Sequence, residues 1–251
     1  MDILKKIKIF LKVAILPIFI YFFITILITF ICNIFNYLNS IVITGIAALI
    51  TIPVLLFIGR FKYDSLIVYS FNNDKKNLLY ILAISISLNL IGNILLTVTN
   101  ILPNDKFALE VNREIMSVNI YLSMLITVII IPLVEEIIFR GYIYRGIYKI
   151  SNFLISSIVS SLFFAVIHFN ISQGIYAFLA GFVLSYIYYK TNNFLYCYIT
   201  HFFMNATSFI LNVNLLNSKY LIFVLVVAIF LFFISIYSFF KYNTKNLEVY
   251  K

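Results

Sequence analysis

A chain of 251 residues that is 63% hydrophobic and 11% charged, with a mean hydropathy of +1.07, excludes a soluble globular domain. Only helices or closed barrels satisfy their own backbone in lipid, and the long apolar runs lack the period-2 alternation of barrel strands. The expected fold is all-α, a polytopic transmembrane helical bundle with room for about eight spans of roughly 20 residues. The formal charge of +9 is read as positive-inside topology and contact with anionic membrane lipid, not as nucleic-acid binding. Cys32 and Cys197 lie in apolar segments without CxxC spacing and are expected in the core. Heavy use of Ile, Asn, Lys, Phe and Tyr hints at an AT-rich bacterial source.

In chain order, Met1–Lys12 is basic and precedes an apolar run, about Val13–Phe35, that is too long for a signal-peptide core and is read as span one. Span two covers about Ile41–Gly59, and a polar loop, Arg60–Asn77, leads to span three, about Leu78–Val98. Pro103, Asn104 and Asp105 form a helix start ahead of Lys106–Met116, which reads as a short amphipathic surface helix. Span four begins near Asn119. Spans five to eight are about Phe153–Phe169, Gly174–Tyr189, Phe194–Leu211 and Tyr220–Phe240, with a polar tail after them. Residues 1–115 hold three spans and the surface segment, 116–211 the core that carries the chemistry, and 212–251 the last span and tail. With a cytoplasmic N-terminus, eight spans put 15 basic residues inside and only Lys106, Arg113 and Lys219 outside. Both termini are therefore expected on the cytoplasmic side of a bacterial cell membrane.

Span four carries Glu135, Glu136 and Arg140 inside an apolar run. Charges at bilayer depth are costly and usually functional. Glu136 and Arg140 are spaced i,i+4 and can pair, while Glu135 points about 100° away and is the free carboxylate. The same pattern also suits a plain ion pair near a helix end. Pro132 removes a helical hydrogen bond to the Val128 carbonyl. The only two histidines, His168 and His201, follow in later spans. Phe164 lies one turn before His168, and Asn205 one turn after His201. That second pair could bind metal, donate to an oxyanion, or join helices as polar contacts. If span four continues to Ile150 and turns near Ser151, Glu135 lies 16 residues before the turn and His168 17 after it, so antiparallel packing brings them to one depth. A full crossing by span five would carry His168 toward the outer face, so a short span five is expected, ended by the polar Asn170–Gly174 turn. Acid, base and arginine in one bundle point to hydrolysis.

Glu135-Glu136-x-x-x-Arg140, Phe164-x-x-x-His168 and His201-x-x-x-Asn205 resemble the three motifs of the CAAX protease and bacteriocin-processing (CPBP, or Abi) family of membrane proteases, over about Met116–Leu211. The resemblance implies glutamate-dependent hydrolysis of a peptide bond in a membrane-associated protein or peptide. Glu135 and His168 would activate water, His201 and Asn205 would stabilise the oxyanion, and Glu136, Arg140 and Phe164 would support them. A zinc ion held by Glu135, His168 and His201 stays open, although the chain has no HExxH and a Glu/His mechanism needs no metal. Bacterial members of the family are associated with bacteriocin or signalling-peptide maturation and with self-immunity. Two other readings remain: a non-proteolytic immunity or scaffold protein on the same fold, and a small transporter using the buried charges as an ion path.

Overall fold

The computed structural model describes residues 3–36, 39–62, 75–210 and 218–243. Most of the expected Arg60–Asn77 loop and of the polar tail lies outside the described residues. Ten helices, and no strand among the described residues, make up the fold. They are α1 (Ile3–Ile34), α2 (Ser40–Lys62), α3 (Lys75–Val98), α4 (Ile101–Asn104), α5 (Lys106–Ser117), α6 (Ile120–Tyr148), α7 (Phe153–Val166), α8 (Ile171–Thr191), α9 (Phe194–Ile210) and α10 (Ser218–Asn243). The helix of span one takes in the basic start as well, since Leu4 and Ile7 continue its apolar face between the lysines.

Among the described residues six helices are long and apolar enough to cross a membrane: α1, α2, α3, α6, α8 and α10. The fifth and seventh apolar segments form shorter helices, α7 with 14 residues and α9 with 17. At about 1.5 Å per residue α7 spans roughly 21 Å, well short of the roughly 30 Å of a bilayer core. It stops because Phe169 turns left-handed, with φ 55°, and the side chain of Asn170 caps α8 by accepting from the Gln173 N–H. A short fifth segment ended by this turn agrees with the sequence reading.

Side-chain contacts sort the helix ends into two layers. At one end Lys76 sits over the Tyr242 ring, Asn77 exchanges hydrogen bonds with Asn243, Lys190 lies 4.0 Å from the Phe240 centroid, and Tyr148 packs edge-on against Tyr189. At the other end Asp105 accepts from the Ser172 N–H and hydroxyl, and Glu114 accepts from the Ser40 N–H and hydroxyl. Helices α7 and α9 therefore link opposite ends of the bundle despite their length. The expected surface helix is α5, capped by Asp105, which accepts from the Ala108 N–H. The Ser172 and Ala108 N–H groups hold the Asp105 carboxyl below its ordinary range, Ser172 contributing most.

Helix α6 is the axis of the fold. Every residue from Val134 to Tyr144 is buried, so this stretch of the helix is enclosed on all sides, not on one stripe. Helices α1, α2, α7, α8 and α9 pack around it, while α10 packs on the far side of α3.

Candidate active site

The backbone of α6 is irregular where the charges sit. Leu125–Ile130 and Ile137–Tyr144 are wound as π-helix, flanking the α-helical turn Ile131–Glu136. Such wide turns mark places where a helix is re-phased, often at functional sites. Pro132 lies near the start of the middle segment and has no N–H to give. The Ile131 N–H reaches back five residues to the Ile126 carbonyl. In that register the next carbonyl is Thr127, and Asn205 Nδ2 donates to it at 2.9 Å. The carbonyl that takes an outside partner is thus Thr127 and not Val128, because the π register shifts the gap by one residue.

Glu136 and Arg140 are both fully buried and pair as expected, Nη1 donating to Oε1 at 2.9 Å. Arg140 Nη2 also donates to the Gly181 carbonyl at 3.2 Å, and its guanidinium lies 5.1 Å from the Phe164 centroid. A third partner comes from α9: His201 Nδ1 donates to the same Glu136 Oε1 at 2.8 Å. Helix α9 is thereby locked onto α6 through one carboxylate oxygen. The opposite ring nitrogen, His201 Nε2, stands 3.6 Å from Glu135 Oε2, an ion-pair distance too long for a hydrogen bond. Glu135 keeps 7% of its surface while Glu136 and Arg140 keep 0%, so Glu135 is the more accessible of the two buried carboxylates.

His168 sits beyond the end of α7 and is half-buried. Its Nδ1 lies 2.7 Å from the Phe164 carbonyl; a carbonyl only accepts, so the proton is on Nδ1 and the Nε2 lone pair is free. Phe164 is the hinge of the arrangement, edge-on to His168 at 5.1 Å and to His201 at 5.6 Å, under the Arg140 guanidinium. The small residue Gly181 makes this stacking possible, since a Cβ there would sit 3.1 Å from Ser161 Oγ and 3.2 Å from the Phe164 ring.

Glu135, Glu136, Arg140 and His201 therefore meet directly. Phe164 joins them by ring contacts, and His168 is reached through Phe164. His168 has no carboxylate within 4 Å of its ring nitrogens among the described residues. Asn205 lies on the His201 helix but has one amide N–H engaged by Thr127. As arranged, Glu135, His168 and His201 do not fit a zinc site: among the described residues no three His, Cys, Asp or Glu side chains gather closely enough to hold a metal ion. Sequence reasoning missed Thr127 and Gly181, which act through backbone carbonyls and carry no residue-type signal. It also missed Ser160, whose hydroxyl donates to the Phe139 carbonyl, although four buried serines within one apolar helix, Ser156, Ser157, Ser160 and Ser161, are a visible sign of a polar helix contact.

The site falls within a region of recognisable ancestry. Residues 117–207 match the family described as type II CAAX prenyl endopeptidase Rce1-like. "Putative membrane peptidase YdiL" of Bacillus subtilis is 28% identical over 85 residues, 34% of this chain and 35% of that protein. The chain thus spans about a third of that relative's length. "UPF0177 protein YxdF" of Lactococcus lactis subsp. lactis is 28% identical over 156 residues, 61% of this chain and 86% of that protein. No solved structure matches. Glu135, Phe164, His168, His201 and Asn205 all lie within residues 117–207, the stretch that is similar to the Rce1-like family.

Proposed function

We propose that this protein is a membrane endopeptidase in which Glu135 activates water against a peptide bond. The observation that carries the reading is the division of labour between adjacent carboxylates. Glu136 is committed to Arg140 and His201, whereas Glu135 makes no hydrogen bond among the described residues and stands opposite His201 Nε2. A water beside Glu135 gives it a proton as the water oxygen adds to the substrate carbonyl carbon. The His168 Nε2 lone pair orients that water. The second N–H of Asn205, and His201 when its Nε2 carries a proton, would stabilise the developing oxyanion. Collapse breaks the C–N bond, and Glu135 passes the proton to the leaving amine, giving a carboxylic acid and an amine that leave as carboxylate and ammonium. No step requires a metal ion.

The substrate class is a membrane-associated protein or peptide, since the reacting groups lie inside a bundle whose outer surface is apolar. The named relatives are bacterial, which favours a leader or short membrane peptide over a prenylated CAAX protein. The basic layer at Lys76, Lys190 and Lys241 faces the cytoplasm, with both termini on that side. The test compares membrane and secreted peptides from cells overproducing wild type or Glu135→Gln. Fragments made only by wild type identify substrate and cut site. Identical profiles from equally abundant, folded proteins in the native host would turn the reading toward a non-proteolytic immunity or scaffold role.

A further inference from the structure

Helix α9 presents His201 and Asn205 to α6 one turn apart. There His201 Nδ1 donates to Glu136, and Asn205 Nδ2 donates to the Thr127 carbonyl. On another face α9 packs against α3, a helix outside residues 117–207. Two fully buried polar side chains of α3, Ser85 and Asn89, reach across to it, also one turn apart. Asn89 Nδ2 donates to the Met204 carbonyl at 3.1 Å and to Ser208 Oγ, and lies 3.4 Å from the Tyr176 hydroxyl of α8. The Ser85 hydroxyl divides its one proton between the Ile81 carbonyl of its own helix, at 2.7 Å, and the Thr200 carbonyl, at 3.1 Å. Thr200 and Met204 immediately precede His201 and Asn205. Each of these carbonyls belongs to the planar peptide unit that also holds the site residue's nitrogen, so a bond to the carbonyl restrains the backbone of the site residue.

Helix α9 is thus held on two faces at matching depths, by α6 through the site side chains and by α3 through the backbone beside them. The second hold bears on the chemistry. A side-chain tip about 5–6 Å from a helix axis moves by roughly 1 Å when the helix turns by about 10°. A misplacement of about 1 Å can lower a rate roughly 100-fold. We infer that Asn89, supported by Ser85, is a positioning residue of the active site, setting the rotation and depth of α9 so that His201 addresses both Glu135 and Glu136. The inference rests on the endopeptidase reading for its kinetic consequence. Its geometric consequence, the His201–Glu136 hydrogen bond, is measured without substrate.

The experiment uses the full chain in lipid vesicles with a synthetic peptide spanning the cut site found from the wild-type and Glu135→Gln comparison. Asn89→Leu removes the amide at similar side-chain size. It is expected to lower kcat by roughly 10- to 100-fold, with KM within about twofold of wild type. Asn77→Leu is the stability control, since it breaks the buried amide pair that ties α3 to Asn243 of α10. It is expected to lower the melting temperature while kcat stays within about twofold. A second readout needs no substrate. The chain has only two histidines, so ring labelling with nitrogen-15 and solid-state NMR give two sets of signals, and His168→Gln leaves those of His201. The His201 Nδ1–H signal is expected to shift in Asn89→Leu and to stay in place in Asn77→Leu. An unmoved signal in Asn89→Leu would overturn the inference, as would an equal shift or an equal loss of kcat in Asn77→Leu. If Asn89→Leu does not fold, Ser85→Ala takes its place, with a roughly fivefold loss of kcat and a smaller shift expected, and an unmoved signal again overturns the inference. If Glu135→Gln itself cleaves the peptide, the endopeptidase reading fails instead, and the His201 signal alone decides Asn89.

Discussion

Replacing Arg140 with Leu should be among the most damaging single changes in the protein. The guanidinium donates to Glu136 and to the Gly181 carbonyl, and both it and Glu136 are fully enclosed. Arg140→Leu leaves the Glu136 carboxylate buried with only His201 as partner, and breaking a buried ion pair in this way costs about 3–5 kcal/mol. Since a folded domain holds only about 5–15 kcal/mol in total, a fifth of its stability or more would go. The double variant Glu136→Leu/Arg140→Leu removes both charges together. It orphans only the His201 Nδ1–H, at about 1–3 kcal/mol, because the Ser185 hydroxyl still donates to the Gly181 carbonyl, and it regains apolar packing. The double variant should therefore be at least about 1 kcal/mol more stable than Arg140→Leu, yet inactive, because His201 has lost its anchor. Reversible unfolding in mixed micelles, followed by circular dichroism, measures both. Arg140→Leu within about 1 kcal/mol of wild type, or a double variant less stable than the single, would refute the reasoning.

Asn205→Leu leaves the Thr127 carbonyl without its partner and should cost about 1–3 kcal/mol. Adding Pro132→Ala restores a backbone N–H and should recover part of that loss, which a double-mutant cycle reads as coupling. Gly92→Ala would place a Cβ 2.5 Å from the Tyr176 ring and should destabilise by about 1–3 kcal/mol, measured by thermal melting. Because its folded-state pKa is depressed, Asp105 contributes stability that is present above the ordinary carboxylate range and lost as pH falls through the folded value. Melting temperature should thus drop less between neutral and acid pH in Asp105→Asn than in wild type. Incubation with 1,10-phenanthroline should leave peptide cleavage unchanged, since the donors do not gather as a zinc set.

The parts of the site that rest on spacing along one helix were legible in the sequence. Charges inside an apolar run marked α6, and the i,i+4 rule alone paired Glu136 with Arg140. What joins different helices was not legible. A free Glu135 beside a committed Glu136 was expected from the 100° step, but that His201 would address both carboxylates depends on how α9 docks against α6. The rotation of α6 depends in turn on two π-wound stretches, whose hydrogen bonds leave no mark in residue type. The same shift moved the freed carbonyl from Val128 to Thr127 and occupied part of the Asn205 amide. Helix lengths fared unevenly for a similar reason. Hydropathy marks apolar segments, while the short α7 is set by a left-handed Phe169 and the Asn170 cap.

The most direct measurement is cleavage by the purified protein in lipid vesicles, using H2(18)O and a synthetic peptide spanning the cut site identified in cells. One labelled oxygen is expected in the new C-terminal carboxylate, with no product from Glu135→Gln at equal protein and equal melting temperature. Labelled product formed at an undiminished rate by Glu135→Gln would contradict the assignment of Glu135. A peptide left intact by folded wild type would contradict the endopeptidase itself.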